Sequence, residues 1–474
     1  MLRKLPIGWR TLGFLVALVA TELTLHHQGN YGKWVVQDRD GRLGWHLLPN
    51  QSGWSRHYDV PERINRFGFR DADWPDPEQA RRDADETFRI AVVGNSITYG
   101  SGVLAAETWP SVLERLLAQE FERRGDPRRV VVMNFAVQGY VFEQMARVFE
   151  DRIVPFEPDL LVVPTLPPDV RPMPAPIEPV DYFGRRWILR TAIYEALRDR
   201  VIDKWIPPPG SAPLQGLELK QAQLDALLPA MAQRYGELIA DQPGAGPFSS
   251  FEPLEQDLRR SVLAAPPGAL AGLVWERLDS PPVRALGERL GRDLRLDLFG
   301  VLEQHLRPEL WAQLESGFQR TPWTAGNRFW WWKMSARMER IQRSLDRFGG
   351  SLAIVTVTRL HEVLDENLPP DQQTVKPIDL FFETWLPGQA VRRSDGRLFY
   401  TSTRRDFSTM QPAVTQALIR HGYLEGPRGT KRIDSERPGS ETSLFLHHDV
   451  GHFSPRGHAA FAEVLARSLV AQGL

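Results

Sequence analysis

Two short stretches, far apart in the chain, hold side chains suited to nucleophilic chemistry. The first is Gly94-Asn95-Ser96-Ile97-Thr98-Tyr99-Gly100, and the second is Asp449-Val-Gly-His452, followed by Phe453-Ser-Pro-Arg-Gly-His458. A serine hydroxyl is a weak nucleophile until a neighbouring base takes its proton. An imidazole does this best when a carboxylate fixes its tautomer and supports its charge. Three-residue spacing on one loop lets Asp449 orient His452, which can then deprotonate Ser96. Each piece alone has a plainer use, because a serine after a strand commonly caps a helix and Asp-x-x-His commonly marks a turn with a surface histidine.

The elements around these residues decide between the two uses. Phe88-Arg-Ile-Ala-Val-Val-Gly94 is apolar, β-branched and closed by glycine, which suits a buried parallel strand. Ligands in open parallel sheets bind beyond the carboxyl ends of the strands, so Ser96 falls where a nucleophile belongs. Val112, Leu113, Leu116, Leu117 and Phe121 then recur at helical spacing, and Gly125-Asp126-Pro127 closes that helix. The unit repeats with a strand over Arg129–Val137, a helix near Glu143 and a third strand over Asp159–Thr165. Strands alternating with helices predict a parallel sheet covered on both faces. The pattern resumes with an amphipathic helix over Met334–Arg347, a fourth strand over Ser351–Val357 and a faint fifth near Lys431–Asp434. It ends in a helix over His458–Ala471, whose Phe461, Val464, Leu465 and Leu469 form one apolar face.

Residues 173–349 break this pattern. Pro172, Pro174, Pro176, Pro179 and Pro207 to Pro209 separate long Leu/Ala/Arg segments of helical periodicity, which predicts a helical insertion dividing the α/β domain into 88–172 and 350–474. Its Trp187, Tyr194, Trp205, Trp275, Trp311, Trp330, Trp331 and Trp332 suit either helix packing or a glycan-stacking or membrane-facing surface. Residues 31–87 form a polar, Trp-dotted, extended lead-in. Before it, Arg3, Lys4 and Arg10 precede an apolar stretch from Leu12 to Ala20, which makes residues 1–30 a signal anchor. Arg10 and Glu22 shorten that stretch against the roughly 20 residues a full span needs. Leu18 and Ala20 make a poor cleavage site, and the basic flank directs everything downstream out of the cytoplasm. A membrane-anchored protein facing the periplasm or the cell exterior is the expectation.

Composition narrows the function classes. With 58 basic and 59 acidic side chains the net charge is −1, so no whole-molecule field attracts nucleic acid. The absence of cysteine excludes disulfides, thiol catalysis and cysteine-ligated zinc. Residues Gly94 to Gly100 lack the Lys-Ser/Thr of a P-loop, Gly100-Ser-Gly102 lacks a third dinucleotide-binding glycine, and Thr98 is not the glycine of a lipase elbow. No cofactor is called for. His447, His448, Asp449 and His452 can be drawn as a metal cluster, but the serine triad already uses two of them, and no metal is assigned.

Gly-Asn-Ser-Ile-Thr at the first strand, a glycine after the second, Pro-Asp-Leu leading the third and Asp-x-x-His before the last helix resemble, in order, the sequence blocks of the SGNH (GDSL-type) hydrolases. Arg63-Ile-Asn-Arg-Phe-Gly-Phe-Arg70 also looks like extracytoplasmic members. The resemblance covers 88–172 and 350–474 and leaves the insertion without a motif. It implies a three-layer α/β/α, flavodoxin-like fold and hydrolysis or transfer of acyl groups. It also implies Ser96 as nucleophile and first oxyanion amide, Gly139 as second oxyanion amide, His452 as base and Asp449 as its partner.

Two residues depart from the family pattern. Asn95 stands where an aspartate is usual. In Leu166-Pro-Pro-Asp169, Pro168 stands where an asparagine normally supplies the third oxyanion donor, and proline has neither a side-chain donor nor a backbone N–H. Loss of one such donor costs on the order of 10² to 10³ in turnover unless another group, such as Asn134, Asn95 or Thr165, substitutes. The expected function is therefore a serine acyl-ester hydrolase or O-acetyltransferase acting on a periplasmic or cell-surface polysaccharide, or on another ester. The competing expectation is a glycan-binding scaffold on a catalytically decayed hydrolase fold.

Overall fold

A computed structural model of the chain describes residues 7–28, 37–55, 60–166, 217–239, 250–264, 281–290, 325–358, 398–410, 443–446 and 451–474. It also describes residues 35, 58, 169, 191, 193, 277, 278, 294, 298 and 301. The chain opens with α1 (Ile7–Gln28). The lead-in then folds as two antiparallel hairpins, β1 (Gln37–Asp40) with β2 (Gly44–Leu47) and β3 (Gln51–Trp54) with β4 (Pro61–Ile64). After α2 (Pro77–Arg82) come β5 (Thr87–Val92), α3 (Ser96–Tyr99), α4 (Trp109–Arg124), β6 (Arg129–Asn134), α5 (Phe142–Val148) and β7 (Leu160–Thr165). Helices α6 (Leu217–Ile239), α7 (Glu252–Ala264), α8 (Pro281–Leu290) and α9 (Ala325–Asp346) follow. The chain finishes with β8 (Ser351–Thr356), β9 (Leu398–Ser402), α10 (Arg404–Met410) and α11 (Pro455–Ala471).

The five strands β5 to β9 form one parallel sheet in the order β6-β5-β7-β8-β9. This is the flavodoxin-like order, with its switch point beside β5. Successive strand residues alternate between two cores. Ile90, Val92, Val132, Val162 and Val355 face a layer that includes Leu113 and Leu117 of α4 and Phe461 and Leu465 of α11. Ala91, Met133, Leu161, Val163 and Ile354 face α5, α9 and the lead-in, including Met145, Met338, Trp45 and Trp74. Helices therefore cover both faces, which makes three layers. Burial on both faces also explains why the strands read as unbroken apolar runs.

Helix α9 belongs to this framework: Arg337 Nε and Nη2 grip the buried Glu143 carboxylate of α5 at 3.1 and 2.9 Å. The sheet also holds β9, a strand that the sequence pattern does not show, while the strand expected near residues 431–434 lies outside the described residues. Within β9 only Phe399 and Thr401 are buried, so an edge strand of five residues gives a faint apolar signal.

Leu12, Phe14, Leu15, Val16, Leu18, Val19 and Leu23 of α1 are exposed. No helix among the described residues is long and apolar enough to cross a membrane. Glu22 is engaged in the protein, accepting from the Ile193 N–H at 3.0 Å.

Candidate active site

The turn that presents Ser96 is built by its neighbours. A Cβ at Gly94 would lie 2.2 Å from Thr98 Oγ1 and 2.4 Å from Thr98 Cβ, so only glycine lets the chain fold back there. Asn95 caps α3, its Oδ1 accepting from the Ile97 N–H at 3.0 Å. The capping role open to the serine is thus filled by Asn95. Ser96 occupies the first helical position, and its Oγ lies 2.7 Å from His452 Nε2. Asn95 Nδ2 also donates to Asp169 Oδ1 at 2.8 Å, which ties the loop after β5 to the loop after β7 across the switch point.

His452 arrives on a short antiparallel ladder. The Leu446 N–H donates to His452 O and the Ser454 N–H to Leu444 O, each at 3.0 Å, on either side of the Phe445–Phe453 bridge. Ser454 then caps α11 through Gly457, with Pro455 at the first helical position. Gly457 has no room for a side chain, since Leu444 O sits 1.9 Å from its Cβ position. The arm is fixed to the far side of the site by α4, where the Trp109 N–H donates to His458 Nδ1 at 3.1 Å and the Trp109 and Phe461 rings lie 5.0 Å apart. Complete burial pushes His458 down to about 3, so it stays a neutral acceptor.

Asp449 lies outside the described residues, as do His447 and His448. On the Nδ1 side of His452 stands Tyr58, whose hydroxyl is 3.0 Å away, with the two rings edge-on at 5.8 Å. Nothing in the sequence pointed to this tyrosine, which sits in the turn between β3 and β4.

Gly139 has φ +77°, and the Trp45 ring lies 3.2 Å from its Cβ position. Trp45 Nε1 donates to the neighbouring Gln138 O at 3.3 Å, and Gln138 Nε2 donates to Ser101 Oγ at 2.9 Å. The Val137 N–H donates to Gly94 O at 3.2 Å, drawing this loop against the nucleophile turn. The N–H groups of Ser96 and Gly139 find no acceptor among the described residues. Each proposed substitute for the third donor is engaged elsewhere. Asn95 Nδ2 serves Asp169, Asn134 Nδ2 serves Thr98 O at 3.1 Å, and Thr165 Oγ1 serves Val355 O at 3.4 Å. Pro168 lies outside the described residues, as do Trp187, Tyr194, Trp205, Trp275 and Trp311.

The lead-in locks this turn in place. The buried Arg70 guanidinium donates to Tyr99 O, Gly100 O and Val103 O at 3.1, 2.6 and 2.7 Å. Tyr99 in turn donates to Glu62 Oε2 at 2.9 Å, and burial raises the Glu62 carboxyl above its ordinary range. Asp71, next in sequence, accepts from the Asn134 N–H at 2.9 Å and from Trp74 Nε1 at 3.0 Å, and burial pushes it up to about 6. Residues 63–70 stand out as a motif in the sequence, but their role as a buckle on the turn that carries Ser96 is visible only in three dimensions.

No protein-family model matches the chain, and no curated relative does. Among solved structures, a crystal structure of the lipase Lip_vut3 from a goat rumen metagenome aligns with 82% of this chain and 98% of its own. The identity is 9% and the TM-score 0.27. The overlap is too loose for that enzyme's activity to transfer to this chain.

Proposed function

We propose that the chain is a serine acyl-ester enzyme of the SGNH type, hydrolysing or transferring acyl groups on a polysaccharide outside the cytoplasm. The observation that carries this reading is the 2.7 Å contact between Ser96 Oγ and His452 Nε2 at the switch point of a parallel sheet. In the first step Oγ attacks the ester carbonyl carbon while Nε2 takes the hydroxyl proton, and the amides of Ser96 and Gly139 stabilise the oxyanion. His452 returns that proton to the leaving alcohol, which leaves an acyl-serine. Water or a sugar hydroxyl, deprotonated by His452, then attacks the acyl carbon and frees Ser96. Asp449 is assigned the support of the imidazole, on the spacing argument alone. The exposed apolar side chains of α1 support attachment to a membrane surface.

A fluorophosphonate probe tests the reading. Robust labelling of the native chain, abolished in Ser96→Ala, is expected. Ser96→Ala and His452→Ala should each lower ester turnover to nearly the level of the double variant, because members of one catalytic unit are not additive. Acyl groups released as free acid identify a hydrolase, and acyl groups recovered on an added glycan identify a transferase. A second reading, a glycan-binding scaffold, is favoured by Pro168 together with the engagement of Asn95, Asn134 and Thr165 by other acceptors. Folded protein that the probe leaves unlabelled would establish that reading instead.

A further inference from the structure

For His452 Nε2 to accept the Ser96 proton, the imidazole hydrogen must reside on Nδ1. Within hydrogen-bond reach of that atom stands the Tyr58 hydroxyl, at 3.0 Å, so the Nδ1–H donates and the phenol oxygen accepts. The tyrosine is seated for this purpose. Its ring stands edge-on to the imidazole and also lies over Gly102, where an added Cβ would come within 3.1 Å of Tyr58 Cδ1 and 2.5 Å of Leu446 Cδ1. Gly102 has φ +85°, so the loop after the nucleophile turn leaves a notch that the ring occupies. Tyr58 therefore touches both halves of the site: the loop that follows Ser96 and the arm that carries His452.

We propose that Tyr58 is a positioning residue, which holds His452 in the tautomer and orientation that the base needs and makes the lead-in hairpin an integral part of the active site. The proposal rests on the serine-enzyme reading above. It adds a neutral hydroxyl, delivered from a separate element, to the support that Asp449 is assigned at the imidazole. An acceptor there also strengthens as the imidazole becomes charged, because the imidazolium N–H is the stronger donor.

Tyr58→Phe tests this while keeping the ring over Gly102. Fluorophosphonate labelling of Ser96 should slow about 3- to 10-fold, the effect of losing one neutral hydrogen bond. The midpoint of the labelling rate against pH should move downward, since the protonated imidazole loses its acceptor. A tyrosine that only packs would leave that midpoint in place, and an unchanged rate and midpoint overturn the proposal. A second measurement is independent of catalysis. In native protein with ¹⁵N-labelled histidines, assigned through His452→Asn, His452 should carry its proton on Nδ1, with a shift that changes in Tyr58→Phe. An Nε2-protonated ring, or a shift that ignores the substitution, overturns the proposal. If the native chain resists the probe altogether, the serine-enzyme reading fails, and the ¹⁵N spectrum still decides whether Tyr58 holds His452.

Discussion

Asn95 and Asp169 meet side chain to side chain at 2.8 Å, amide to carboxylate, although 74 positions separate them. The contact gives a reason for asparagine where aspartate is usual in the family the sequence resembles. An aspartate at this position would set two carboxylates against each other, one of them buried.

Asn95→Asp should therefore destabilise the fold by about 1–3 kcal/mol, the penalty for a buried polar group that loses its partner. The reciprocal double variant, Asn95→Asp with Asp169→Asn, should recover most of that loss. The swap restores a donor facing an acceptor, and the carboxylate introduced in place of Asn95 still accepts from the Ile97 N–H. Urea denaturation midpoints of the four proteins check this, and a double variant no better than the single one would count against the pairing.

His458 sets an acid limit on stability. Its imidazole titrates near 6.5 when unfolded and, through burial, at about 3 in the fold. Above pH 6.5 it is neutral in both states and contributes nothing. Below that, the unfolded chain takes the proton first, so stability falls by about 1.4 kcal/mol per pH unit until about pH 3. Asp71 acts in the opposite sense between about 6 and 3.8, because its folded carboxyl is the one that binds the proton first. A comparison with His458→Asn isolates the histidine. Between about pH 6.5 and 5 the native chain should lose roughly 2 kcal/mol more than the variant. Equal losses would place the His458 imidazole in contact with solvent.

Pro168→Asn should raise the hydrolysis rate of a small activated ester. Asn95 Nδ2, Asn134 Nδ2 and Thr165 Oγ1 each already donate to another acceptor. One donor contributes at most about 2.7–4 kcal/mol to the transition state. Removing a proline widens the unfolded ensemble and takes back about 0.4–1 kcal/mol of stability. Turnover measured per probe-reactive Ser96 separates the two effects. An unchanged kcat would mean that another group already fills the hole, and the scaffold reading would lose its best argument.

A reporter fused after Val60 should be active only outside the cytoplasm, because Arg3, Lys4 and Arg10 hold the amino end inside. Activity of a cytoplasmic reporter at the same junction would overturn the orientation.

Legibility in the sequence followed burial. Strands β5 to β8 were readable because both faces are covered, and α4 and α11 because each shows one apolar stripe to the sheet. The lead-in hairpins were not, since their strands are four residues long and largely polar. Ser96 and His452 were found because their local sequences are distinctive. Tyr58, Arg70 and the Asn95–Asp169 contact were missed for a different reason. Each acts where loops from separate elements meet, and no period or spacing along one segment encodes such a meeting.

The 356 positions between Ser96 and His452 also set a clock. A ribosome adding about 5–20 residues per second needs roughly 20–70 s to make the second residue after the first. Throughout that interval the nucleophile turn can already be buckled by Arg70, while the base does not yet exist. Pairing the two must await docking of α11 on α4, a contact of high sequence separation and so intrinsically slow to form. On the proposed reading a growing chain is thus chemically silent, and Ser96 is activated only when His452 has been made and α11 has packed.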